Sequence, residues 1–339
     1  MGLTYAGNYS IINDSDLNLV RRGFVEQEIY RVYSSYLKEK YGEKVYKLPV
    51  NLPVTCPNKE NGFGCSFCSD SGTGFEAMSQ SVSVTTQLEE TREKIEKRYG
   101  AHKFIAYFQN YTNTYLPINQ FEQYVNEAAK VKDIVEISVS TRPDCIHEAY
   151  LRVLEKVKKS SSINITIELG LQTANYHTLS KLFRGHGLAE FLGAVQLISN
   201  YGFELCVHII PNLPYDTMED VVETAKIISV LPVSQVKLHS LYIAKGTIMA
   251  EQYENGELEI CSKQEYFERL AHFLMYLRKD MVIERLFSRI PEQDSLFSNW
   301  GESWWKCQDE FLQYMKEHDF YQGKLHYKTG QLLIDKGYV

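Results

Sequence analysis

At 339 residues, with 44% apolar and 23% charged side chains, the chain has room for two domains or one large α/β domain with a cap, and it can bury a sizeable core. Its 36 basic and 43 acidic residues leave a net charge of −7 with no long run of either sign. That argues against nucleic acid, whose backbone is recognised through clustered Lys and Arg, and makes a small molecule the expected partner. No apolar stretch approaches the ~20 residues of a membrane span, and Met1 to Ala6 has neither a signal-peptide core nor a myristoylation signal, so no membrane role and a cytoplasmic location are expected.

In chain order, residues 1–44 read as a mostly helical lead-in, followed by an extended first strand at Val45–Val50. Further β-rich runs recur at Lys103–Gln109, Ile134–Ser140, Ile163–Leu169, Phe203–Ile210 and Gln235–Tyr242, with starts 29 to 40 residues apart. Between them lie helical patterns at Thr85–Arg98, Ile118–Val131, Ile146–Lys158, Leu188–Ser199 and Thr217–Ser229. A spacing of about 30 residues is that of a strand plus a crossover helix. The alternation predicts an α/β fold with a parallel sheet, and six units are too few for a closed barrel. The expectation is a six-stranded (β/α)6 partial TIM barrel over residues 45–255, or a doubly wound sheet, with chemistry at the strands' C-terminal ends. Beyond 255 the rhythm stops, and residues 256–339 read as a helical cap rich in aromatics, including Phe297, Trp300, Trp304, Trp305 and Tyr314. Residue by residue, these aromatics are read as ordinary core.

The strongest local signal is TCPNKENGFGCSFCSDSG at Thr55–Gly72, after the first strand. Cys56, Cys65 and Cys68 stand there at C-x8-C-x2-C spacing, in a loop eased by Pro57, Gly62 and Gly64. Seven cysteines in an intracellular chain do not imply a disulfide framework. Structural zinc wants four protein ligands, and the next cysteine, Cys145, is 77 residues further on. Three thiolates instead suit a four-iron cluster with one iron open, with zinc and inert buried thiols as the alternatives.

With Phe67 preceding Cys68, the loop resembles the radical SAM superfamily, whose usual C-x3-C-x-aromatic-C motif has a shorter first gap. The long gap after Thr-Cys-Pro-Asn resembles a subgroup related to the SAM domain of the Elongator acetyltransferase. KVYKLPVNLPVTCPN at Lys44–Asn58, FIAYFQNYTNTY at Phe104–Tyr115, STRPDC at Ser140–Cys145, ELGLQT at Glu168–Thr173, RGH at Arg184–His186 and VKLHSLYIAKGT at Val236–Thr247 agree with it. The resemblance spans roughly residues 30–330. It implies a 4Fe-4S cluster on Cys56, Cys65 and Cys68, S-adenosyl-L-methionine (SAM) on the open iron, and radical chemistry at the substrate. It also implies a reducing electron donor such as flavodoxin or ferredoxin.

On the same resemblance, Phe67 packs near the adenine, and Gln109 takes the place of the acidic residue that usually holds SAM's amine. Thr141 and Arg142 follow the third strand, where Arg142 is expected to grip SAM's carboxylate with two prongs unless Asp144 claims it. Glu168 stands in an otherwise apolar strand and needs a partner: the SAM ribose, with Gln172 nearby, or a buried Lys or Arg. His208 and His239, near the ends of the fifth and sixth strands, are expected to contact substrate. Within the subgroup the pattern and size resemble the queuine lyase family, which implies free queuine as substrate and 7-aminomethyl-7-deazaguanine as product. The alternatives are radical SAM chemistry on another nucleoside-derived substrate or tRNA, and a non-catalytic zinc or iron–sulfur module.

Overall fold

A computed structural model describes residues 28–60, 62, 64–69 and 77–338. Most of the expected lead-in lies outside them. Seven parallel strands form one curled half-barrel: β1 (Val45–Val50), β2 (Lys103–Phe108), β3 (Ile134–Thr141), β4 (Asn164–Gln172), β5 (Glu204–Ile209), β6 (Gln235–Leu238) and β8 (Val282–Arg285). They pair in that order, each beside its predecessor, while the short β7 (Ile243–Ala244) and β9 (Ser295–Phe297) make a separate antiparallel pair. Six strands were expected. The seventh, β8, comes from the segment read as cap, where four residues ending in Glu284 and Arg285 carry too little alternation to announce a strand.

Helices join the strands of the β1–β6 succession, and local chemistry fixes their ends. Ser83 accepts from the Thr86 amide to open the helix Val84–Tyr99, which Gly100 closes at φ 61°; the Thr217 and Asp220 side chains cap each other's backbone ahead of Met218–Val230. The helix Glu148–Ser161 buries Leu151, Leu154 and Val157 on one face, the i, i+3 spacing that docks a helix on a sheet.

Period-two alternation then divides each strand between two environments. In β3, Ile137 and Val139 join the apolar core while Glu136, Ser138 and Ser140 alternate with them; in β4, Ile165, Ile167, Leu169 and Leu171 join the core and Thr166, Glu168, Gly170 and Gln172 fall between. The same holds for Glu204, Cys206 and His208 in β5. The apolar core therefore lies between sheet and helices, and the concave face of the half-barrel is polar. Its lower layer joins Lys40 to Glu136 and Glu204 at 3.0 and 2.6 Å.

The C-terminal helices Lys263–Tyr276 and Trp304–Glu317 pack through Phe267 and Phe311, whose rings are 5.5 Å apart; Trp300 contacts Tyr266 at 5.2 Å and Phe297 at 5.8 Å. These aromatics are core and wall material, apart from Trp305, which is exposed. Among the described residues no helix is long and apolar enough to cross a membrane.

Candidate active site

At the strands' C-terminal ends lies a cavity of about 860 Å³, counting its open mouth. Cys56, Cys65 and Cys68 form one side of it, with Phe67 between the latter two. Gln109, Thr141, Arg142, Glu168, Gln172 and His208 form much of the rest, carried there by four neighbouring strands, β2 to β5, or the loops after them. Residues scattered over more than 150 positions thus converge because parallel strands all finish on one side. His239 is set back from the wall, its ring centroid 5.3 Å from that of His208.

The cysteines sit among donors. Arg184 Nη1 donates to Cys65 Sγ at 3.3 Å and Asn58 Nδ2 at 3.4 Å, while Arg142 Nη1 lies 3.6 Å from Cys56 Sγ. A hydrogen bond from Cys68, with help from Arg184 and Asn58, pulls the Cys65 thiol well below the usual range despite burial; the same bond and burial push Cys68 well above it. Gly185, at φ 71°, must be glycine: a Cβ there would stand 2.5 Å from Asn58 Oδ1 and dislodge a donor to Cys65. Cys145 is not on the cavity wall; its thiol turns toward Asp144 Oδ1, so it supplies no fourth sulfur to complete a zinc shell.

At two of the expected contacts the side chain already has protein partners. For Arg142 the alternatives were a two-pronged grip on SAM's carboxylate and a pair with Asp144; its Nε and Nη2 meet Asp144 Oδ1 and Oδ2 at 2.9 and 2.6 Å, because the tight turn Pro143–Cys145 brings this carboxylate back beside it. Only Nη1 faces the sulfurs. For Glu168 the alternatives were the SAM ribose and a buried Lys or Arg; it meets Lys47 at 2.6 Å, Ser138 at 2.6 Å, Lys237 at 3.0 Å and His208 Nε2 at 2.7 Å. A ribose hydroxyl would have to displace one of these. Burial alone would raise the Glu168 carboxyl; Lys237 and Lys47 overcome it and hold the group well below the usual carboxylate range.

Lys47 and Lys237 also reach Glu284 of β8, and Lys237 donates to the Tyr107 hydroxyl at 2.9 Å. Glu168, Cys206 and His208 present ligand atoms within 4.8 Å of one another, but two lysines on the same carboxylate repel a cation there. Burial lowers the His208 pKa, and burial with the Arg285 charge lowers that of His239 well below the usual range, so both rings are neutral hydrogen-bonding groups near pH 7. Sequence reasoning missed Lys47, Lys237, Glu284, Tyr107, Tyr111 and Tyr242. A lysine inside a strand was the available signal for the first two.

The half-barrel and its three-cysteine rim define a parallel α/β protein with a thiol-lined site at the mouth of its sheet. The chain belongs to the radical SAM superfamily, whose model matches residues 50–228, with the superfamily's C-terminal domain matching 233–317. It is 30% identical to the uncharacterized protein YtqA of Bacillus subtilis over 87% of this chain and 92% of that one. It is likewise 30% identical to the protein YhcC of Escherichia coli over 86% and 94%. Among solved structures, Elp3 of the archaeon Methanocaldococcus infernus superposes with a TM-score of 0.64 at 18% identity, covering 82% of this chain and 64% of Elp3, which supports the fold.

The cofactors are a 4Fe-4S cluster and SAM, and the donor-rich surroundings of the three sulfurs fit an anionic cluster. When bound, these groups supply reductive cleavage of SAM and hydrogen abstraction from a substrate. The chain's own part is to present Cys56, Cys65 and Cys68 as ligands, hold donors against two of their sulfurs, and keep charged side chains compensated in a cavity partly closed to water. Gly170 leaves room at the centre, since a Cβ there would come within 3.1 Å of both Arg184 Nη2 and Gln172 Nε2.

Proposed function

We propose that this radical SAM enzyme acts on free queuine, cleaving the C–N bond that joins the cyclopentenediol to 7-aminomethyl-7-deazaguanine, with a flavodoxin- or ferredoxin-type protein supplying the electron. The observation that carries this reading is the make-up of the cavity. Tyr111 and Tyr242 are aromatic walls for a flat base, and His208 is a neutral polar group lining the same cavity. Burial pushes the Tyr242 hydroxyl up to about 12, so it remains a donor. The aromatics beyond residue 255 do not line this cavity; Phe297, at the end of β9, and Trp304, at the start of its helix, line another. The net charge of −7 agrees with a free base rather than an intact tRNA.

Anaerobically reconstituted enzyme, given SAM and a strong reductant, is expected to consume free queuine and release 7-aminomethyl-7-deazaguanine, leaving queuosine-containing tRNA intact. Consumption of queuosine in tRNA with free queuine untouched would reverse the assignment.

A further inference from the structure

Arg184 is a buried cation, 6% exposed, for which the described residues provide no carboxylate. Its Nη1 faces Cys65 Sγ at 3.3 Å, its Nη2 donates to the Gly170 carbonyl at 2.8 Å and meets His186 Nε2 at 3.1 Å, and its Cζ stands 5.8 Å from the Phe67 ring centroid. Guanidinium has no acceptor, so His186 Nε2 must accept and the ring's proton must sit on Nδ1, an atom with no hydrogen-bond partner. A buried guanidinium is costly unless an anion compensates it. Arg142 has Asp144 for that purpose, and among the described residues Arg184 has only the sulfur.

We infer that Arg184, aimed by His186 and the Gly170 carbonyl, is the counter-ion of the cluster and raises its reduction potential through Cys65. The inference rests on the cluster assignment above. Reduction adds one electron, drawn from a low-potential one-electron donor, and makes the cluster one unit more negative. A fixed positive charge against a ligand sulfur therefore favours the reduced state. Arg142, whose charge Asp144 offsets, contributes less. Arg184 is a positioning and charge-compensating residue here, since it acts through Cys65.

The test is a redox titration monitored by electron paramagnetic resonance on reconstituted wild type, Arg184→Gln and Arg184→Lys, without SAM, alongside iron counts. For Arg184→Gln with four irons retained, the reduced-to-oxidised ratio at the wild-type midpoint is expected to fall about tenfold, a shift of ~59 mV for one electron. Arg184→Lys, which keeps the charge, is expected to shift much less. An unchanged potential in Arg184→Gln would overturn the inference, as would a Lys variant shifted by the full tenfold. Should the Gln variant lose iron, the Lys variant decides on its own. Wild type that binds no iron would overturn the cluster assignment itself, a distinct result.

Discussion

Replacing Cys56, Cys65 or Cys68 by Ala is expected to abolish SAM cleavage and strip the bound iron, whereas Cys145→Ala keeps both. The three thiols share one cavity wall at the end of β1, with guanidinium or amide donors on Cys56 and Cys65. A cluster held by two sulfurs instead of three loses a covalent anchor that no neighbour replaces, for Cys145 faces Asp144 and burial pushes its thiol up to about 12. Iron content and 5′-deoxyadenosine formation, measured anaerobically on the four variants, check this. Retention of the cluster in Cys56→Ala together with its loss in Cys145→Ala would refute the ligand set.

The second large effect is expected at Glu168. Glu168→Gln preserves shape but removes the charge that faces Lys47 and Lys237, leaving the two lysines with Glu284 alone. Breaking a buried ion pair on one side costs about 3–5 kcal/mol, so denaturant unfolding of the apoprotein is expected to show a loss of that order. A drop below about 1 kcal/mol would show that the network is not what holds the concave face together. Because the folded-state carboxyl is held below its ordinary range, its contribution is complete above the unfolded-state value near ~4.3 and is lost as pH falls from there toward the depressed folded value. The gap between wild type and Glu168→Gln should therefore narrow below about pH 4.

These lysines show where sequence reading stops. The βα alternation was legible because crossover helices impose a spacing, and the expected helix Leu188–Ser199 matches the observed one end for end. The cysteine loop was legible because its three ligands are close in sequence. Glu168 stood out as a lone acid in an apolar run, but its partners lie 121 and 69 residues away and meet it only once β1, β4 and β6 adopt their register. The alternation that puts Glu136, Ser138 and Ser140 on one face of β3, and Thr166, Glu168 and Gly170 on one face of β4, was present in the sequence. It marks a polar concave face rather than isolated polar residues in a core. Arg184 could be quoted within its RGH segment. Its aim at Cys65 depends on the bare Cα of Gly170 and the positive φ of Gly185, which three-dimensional packing determines. For Arg142 the sequence offered both SAM's carboxylate and Asp144, and the turn through Pro143 is what brings Asp144 onto its fork.

Isotope transfer from substrate to cofactor reports directly on the proposed radical chemistry at a free base in the cavity beside the three sulfurs. Queuine deuterated on its cyclopentenediol ring, incubated anaerobically with reconstituted enzyme, SAM and reductant, is expected to yield 5′-deoxyadenosine carrying deuterium in step with release of 7-aminomethyl-7-deazaguanine. Unlabelled 5′-deoxyadenosine with the queuine intact, under conditions where the enzyme cleaves SAM, would contradict it.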